Sequence, residues 1–157
     1  MTRLDGPPRA YALAIKLLSL RPRSEKELFQ RLEGRFGREE ADATLSRLKK
    51  EGYLDDLSFA GWWISQRTNF KPMGGIRLRQ ELLQHGVAPD VVKEALGLLA
   101  PGSELAAALE VARRKLPHLA GDRVEQRLGL FLARRGFGRS VIDSVLRTLR
   151  EQDGDFY

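Results

Sequence analysis

The chain has 157 residues, 42% of them apolar, with 27 basic against 21 acidic side chains, a net charge of +6 and an isoelectric point near 10.0. This is the composition of a globular protein of one-domain length. Its basic balance favours a polyanionic partner, whether DNA, RNA, a nucleoprotein or an anionic membrane surface. The absence of cysteine excludes disulfides, iron–sulfur clusters and thiolate zinc sites. Met1–Ala10 is polar, carries Pro7 and Pro8, and lacks the apolar core of a signal peptide. No apolar run approaches bilayer-spanning length, so a cytoplasmic protein is the expectation.

Taken in chain order, every periodic stretch reads as helix. Tyr11, Ile15 and Leu18 fall on one face at spacings of three and four, and the helix they define stops near Arg21-Pro22, since proline disfavours helix in the residue before it. Ser24 with Glu27 is a capping-box signature for a second helix with a stripe of Leu28 and Leu32, ended by Gly34 or Gly37. A third runs from about Arg38 to Glu51, stops at Gly52 and buries Ala41, Leu45 and Leu48. Asp55-Asp56 opens the next helix, where acids suit an N-terminus, and Phe59, Trp62, Trp63 and Ile64 follow. Another covers roughly Ile76 to His85, ending at Gly86, and Ala88-Pro89-Asp90 starts the next with proline at the first helical position. Further helices open near Ser103-Glu104 and at Asp122 with Glu125, a second box-like pair; the latter ends at Gly136. Arg139 to Glu151 is the last. No stretch alternates with period two over a strand length.

These helices repeat. A shift of 50 superimposes Leu28, Leu78 and Leu128, then Leu32, Leu82 and Leu132. Gly86 meets Gly136, and Val87 meets Phe137. With one residue inserted in the first copy, Phe36 joins that last pair. Ala41 then meets Val92 and Ile142, Leu45 meets Leu96 and Leu146, and Leu48 meets Leu99 and Leu149. A period of this length marks a helical repeat array. The fold class expected is all-α: three tandem three-helix, helix-turn-helix-like repeats over 1–54, 55–101 and 102–157. Modules this small have thin cores and stack on their neighbours, which predicts an elongated, curved rod.

The three segments carry net charges of +4, 0 and +2, and acid-free stretches stand out. Between Asp56 and Glu81 lie Arg67, Lys71, Arg77 and Arg79. Between Glu110 and Asp122 lie Arg113, Arg114 and Lys115, and between Glu125 and Asp143 lie Arg127, Arg134, Arg135 and Arg139. All of these except Arg139 are the candidate site residues. Such a track would neutralise phosphates and release counterions, or meet acidic patches on a protein. Solvated helix faces are the plainer account of any single arginine.

Catalytic signatures are missing. The two histidines, His85 and His118, lack partners at metal-ligand spacing, and His85, beside Gly86, reads as a helix-ending residue. Gly74-Gly75 reads as a helix-start turn rather than a phosphate loop, since no strand precedes it. Asp55 and Asp56 read as helix caps rather than catalytic carboxylates. Trp62 and Trp63 could stack on bases, but at least one is expected in the core. No enzyme activity, metal or cofactor is expected.

Several segments also share a pattern: Arg21-Pro22-Arg23-Ser24-Glu25-Lys26-Glu27-Leu28, the run from Leu45 through Gly52-Tyr53-Leu54-Asp55-Asp56, Phe59-Ala60, Trp63-Ile64 with Arg67, Gly74 with Arg77-Leu78-Arg79-Gln80-Glu81-Leu82, Gly86-Val87, and Leu132-Ala133-Arg134-Arg135-Gly136-Phe137. In order and spacing, over nearly the whole chain, this resembles the RecX family of bacterial modulators of the RecA recombinase; the third repeat follows it more loosely. The resemblance implies three tandem three-helix repeats. It also implies binding to RecA and to its filament on single-stranded DNA, in the helical groove, with suppression of ATP hydrolysis, strand exchange and filament growth, and no catalytic residue or cofactor. Rival readings of the residues are a general nucleic-acid-binding or transcription-regulating helical protein, since three-helix units can hold a helix-turn-helix, and a protein-interaction solenoid whose charge only keeps it in solution.

Overall fold

A computed structural model describes residues 8–154. Of Met1–Ala10, on which the signal-peptide reading rests, only Pro8–Ala10 lies within them. The described residues form nine α-helices and no strand: α1 Arg9–Leu20, α2 Glu25–Phe36, α3 Arg38–Lys50, α4 Asp56–Phe70, α5 Gly75–Gln84, α6 Pro89–Gly97, α7 Ser103–Lys115, α8 Val124–Arg134 and α9 Arg139–Asp153. A short 3-10 helix, Leu116–His118, follows α7 and was not expected. The chain is all-α, as its periodicity requires, and Pro89 is the first residue of α6.

By compactness the chain divides into two units. The first takes the described residues through Trp62 together with Leu82–Glu94; the second takes Trp63–Glu81 with the described residues from Ala95 onward. Helices α4, α5 and α6 each pass from one unit into the other.

The core of the first unit gathers Ala10, Ala14, Leu28, Leu32, Ala41, Leu45, Leu48 and Leu54. On α1 the expected Tyr11, Ile15 and Leu18 are only half-buried against it, and the fully buried positions are the alanines. Small side chains let this helix approach its neighbours closely. The second unit has its own cluster of Ala108, Val111, Ala112, Leu128, Leu132, Phe137, Val145 and Leu149. The repeat-related leucines of the second helices, Leu28, Leu78 and Leu128 and then Leu32, Leu82 and Leu132, are all buried. In the third helices the repeat-related trio most fully out of water is Thr44, Ala95 and Val145. Leu96 and Leu146, one residue on, are half-buried. Leu99, aligned with Leu48 and Leu149, falls beyond the end of α6 and is 39% exposed.

Each unit closes around the same kind of junction. In the first, the buried Ser24 Oγ accepts from Glu27 N–H (3.2 Å) and donates to the carbonyl of His85 (2.6 Å). Asp56 Oδ1 accepts from Glu25 N–H (2.9 Å), the first amide of α2. Only half of the capping box forms: the Glu27 carboxylate meets Arg21 (3.2 Å) and His85 Nδ1 (2.6 Å). Asp55 caps its own helix, accepting from Leu57 N–H (3.1 Å) and Ser58 Oγ–H (3.0 Å). His85 packs edge-on against Phe59, and the turn after α5 is made by Gly86, whose φ is 83°.

Fifty residues later the second unit repeats the arrangement. Gly74 N–H donates to the carbonyl of Arg135 (2.8 Å) and Ile76 N–H to that of Gly136 (3.2 Å). Glu104 Oε1 accepts from Gly75 N–H (2.9 Å), the first amide of α5, in the role that Asp56 has for α2. The backbones here touch: a Cβ on Gly74 would run into the carbonyl of Gly136, and one on Gly136 into Arg77. Gly136 also has φ 86°, a conformation that costs other residues about 1–2 kcal/mol. The second box-like pair does not form. Helix α8 starts at Val124 after Arg123 in a left-handed conformation, without a side-chain cap, and Glu125 pairs with Arg150.

Two predictions follow from the junctions. Gly74→Ala forces backbone apart in a packed contact and should destabilise the protein by about 1–3 kcal/mol, read as a fall in the urea midpoint; an unchanged midpoint rejects the contact. At Asp56, burial pushes the carboxyl above its ordinary 3.8, only partly offset by the Glu25 N–H. A raised acid favours the folded state while protonated, so its contribution falls as pH rises from below 3.8 through the higher folded value. Unfolding free energies of the natural chain minus those of Asp56→Asn, measured across that window, should decline with pH; a flat difference contradicts the burial.

Candidate nucleic-acid interface

All ten candidate cations lie in the second unit, but only some of them face outward with their charge available. Arg67, on α4, donates Nε–H to Glu81 Oε2 (2.9 Å) and lies over the Trp63 ring (4.7 Å). The same carboxylate accepts from Trp63 Nε1–H (2.9 Å) and pairs at 3.8 Å with Arg77, one turn before it on α5. Arg77 also donates to the carbonyl of Arg134 (3.3 Å). The Arg67–Arg79 stretch is free of acids in sequence, but the acid at its boundary is near it in space. Glu81, which closes the stretch in sequence, turns back and neutralises two of its four cations. Neither tryptophan is in the fully buried core; Trp62 and Trp63 are both half-buried.

Arg113 donates to Gln152 (2.7 Å) and Arg127 to the carbonyl of Ala120 (2.7 Å). Arg79 and Arg134 are exposed on α5 and α8, and no hydrogen bond or ion pair of their guanidinium groups occurs among the described residues. The remaining four come together. Lys71, Arg114, Lys115 and Arg135 line one cleft of about 370 Å³ with Phe70, Pro72, Val111 and Phe131.

The local sequence accounts for this cleft. Val111, Arg114 and Lys115 stand three and four residues apart on α7 and so share a face. Lys71-Pro72 leaves the end of α4, where proline prevents continuation. Arg135 is the C-cap of α8, and its guanidinium reaches the Pro72 carbonyl at 3.4 Å, at the long limit of a hydrogen bond. Phe131 holds two of the cations: Lys115 Nζ lies 5.1 Å and Arg135 Cζ 5.3 Å from its ring centre, within cation–π range. The lining includes no carboxylate; the nearest charge partner is Glu110, paired with Arg114 at 2.6 Å on the exposed side of α7.

Sequence reasoning did not pick out Phe70 and Phe131. Phe70 carried a signal, an aromatic residue directly before an unpaired lysine at a helix end. Phe131 carried only its place among apolar residues of α8. Among the described residues, no group of three or more His, Cys, Asp or Glu could hold a metal ion, and no helix is long and apolar enough to cross a membrane.

The fold and this cleft define a class: a three-repeat helical protein with a basic, aromatic-lined cleft. Models of the RecX family's three-helix domains match in order, the first over residues 10–48, the second over 55–96 and the third over 103–146. Similar curated proteins include Regulatory protein RecX of Chlorobium phaeobacteroides (strain BS1), 38% identical over 89% of this chain and 95% of its own. Another is Regulatory protein RecX of Thermobifida fusca (strain YX), 33% identical over 96% of this chain and 89% of its own. The crystal structure of RecX from Lactobacillus salivarius superposes with a TM-score of 0.82 at 18% identity, covering 91% of this chain and 96% of that one, and so shares the fold. The chain belongs to the RecX family of regulatory proteins.

The shared acceptor makes a prediction. Glu81→Gln leaves Arg67 and Trp63 with a neutral partner and should cost about 1–2 kcal/mol, discounted for the part-exposed arginine, in urea unfolding. No change in stability would remove Glu81 from its organising place.

Proposed function

We propose that this chain is a negative modulator of the RecA recombinase that binds RecA and the RecA filament on single-stranded DNA, and that this binding holds back ATP hydrolysis, strand exchange and filament growth. Family membership carries the reading, because the relatives it rests on are named as regulatory proteins. The chemistry of the second unit supports it. Four cations line a cleft that includes no acid, and exposed Arg79 and Arg134 add positive charge on the same unit. Cations of this kind neutralise phosphates and release counterions; they equally suit an acidic protein wall. A protein lodged across neighbouring recombinase subunits would restrict the relative movement that turnover and elongation require. This activity needs no catalytic group, metal or cofactor.

The direct test is DNA-dependent ATP hydrolysis by the recombinase with increasing amounts of this protein. Turnover should fall, and unchanged turnover at saturation rejects the function. Within the basic surface, Arg79→Glu is the cleaner probe and should weaken filament binding severalfold with helix content intact. Arg77 packs against Gly136 and pairs with Glu81, so its replacement disturbs the junction as well as the charge. Undiminished binding by the Arg79 variant would move the contact surface elsewhere.

A further inference from the structure

We propose that the cleft between the end of α4, α7 and α8 is a site for one nucleoside phosphate, with its base laid on Phe70 and its phosphate held by Lys71, Arg114 and Lys115. It deepens the function proposed above, on whose nucleic-acid partner it rests for its biological setting.

Three observations carry the assignment. First, scale: about 370 Å³ falls in the range of small-ligand sites and suits one nucleotide better than a length of duplex. Second, charge: elsewhere in this unit the structure itself uses up the guanidinium groups of Arg67, Arg77, Arg113 and Arg127. In the cleft, Lys115 and Arg135 are instead drawn to the same phenylalanine ring, with Arg135 only at the long limit of a hydrogen bond to Pro72. Lys71 has no ion pair among the described residues, and Arg114, whose one carboxylate partner is the exposed Glu110, can turn from it to a phosphate. Like charges gathered in a concave site repel one another, and an anion entering between them relieves that repulsion. Third, the aromatic: Phe131 is already occupied by two cations, whereas Phe70, the last residue of α4, is 81% exposed. A large apolar ring left in water beside a lysine and a basic cleft matches the pairing that binds single-stranded nucleic acid, a stacking face next to phosphate-neutralising charge. An acidic protein surface would use the cations and leave Phe70 without a role.

The same chemistry is offered by a nucleotide within a single strand and by a free nucleotide. The test is fluorescence anisotropy of a labelled oligothymidylate with the full chain and no recombinase, challenged with unlabelled oligothymidylate, thymidine 5′-monophosphate, pyrophosphate and polyglutamate. Oligothymidylate should displace the probe. Displacement by the monophosphate as well means that the site accepts the free nucleotide; failure of the monophosphate means that it takes the nucleotide only as part of a strand. Phe70→Ala and Lys71→Glu should each weaken binding about tenfold or more, while Lys93→Glu, an equal change of charge at an exposed residue of α6, should not. Both cleft residues are exposed, so folding is preserved. Absence of oligothymidylate binding, indifference to Phe70→Ala, or equal competition by pyrophosphate or polyglutamate overturns the site. Recombinase ATP hydrolysis measured in parallel separates the two readings. Cleft binding without any inhibition by the natural chain would uphold the site and reject the function, and inhibition without cleft binding would do the reverse.

Discussion

The first amides of a helix have no partners within that helix, and in this protein the second helices of the first two repeats obtain one each from the repeat that follows. Glu25 N–H goes to Asp56 and Gly75 N–H to Glu104, while Ser24 and Gly74 rest on the turns at His85 and Arg135. Buried backbone groups left unpaired cost free energy comparable to a lost hydrogen bond. The modules are therefore joined by satisfaction of polar groups as well as by apolar contact. This explains why compactness does not follow the sequence repeat: each unit encloses one junction, and the middle helices are shared.

The basic cleft depends on the second junction. Arg135 belongs to both, and the contact of Gly74 with the Arg135–Gly136 turn sets the start of α5 against the end of α8. The same Arg135 offers its carbonyl to the junction and its guanidinium to the cleft. Glu81, one turn after Arg77, removes two cations from the outward surface. Structure and charge are thereby sorted within a few residues, with some arginines bracing the unit and others, such as Arg79 and Arg134, left exposed.

Much of the fold was legible because its signals are local. Leu28, Leu78 and Leu128 mark the buried face by spacing, and Pro89 and Gly86 punctuate helices through backbone constraints that hold in any context. The differences between pattern and fold have physical causes. Apolar periodicity marks large residues more strongly than small ones, and Ala10, Ala14 and Thr44 are buried where helices approach closely. The Ser24–Glu27 spacing points Glu27 to its own cap, and nothing in the sequence shows His85, 58 residues away, taking that carboxylate. The ten cations stand in acid-free stretches of sequence, yet charge in a folded chain is partnered by proximity, and α5 brings Glu81 to Arg67. Phe131 was illegible for the same reason: only the folded chain brings Lys115 and Arg135 to one ring.

The borrowed caps have a consequence for how such a chain can change in length. Asp56 lies outside the stretch that sequence comparison marks as the first module, yet the first module's second helix ends its polar accounts there. A lone module would keep its leucines and lose the acceptor for its opening amide. Adding or removing a copy after either of the first two modules therefore keeps that amide's partner only where an acid of the next copy arrives in register, as Asp56 and Glu104 do.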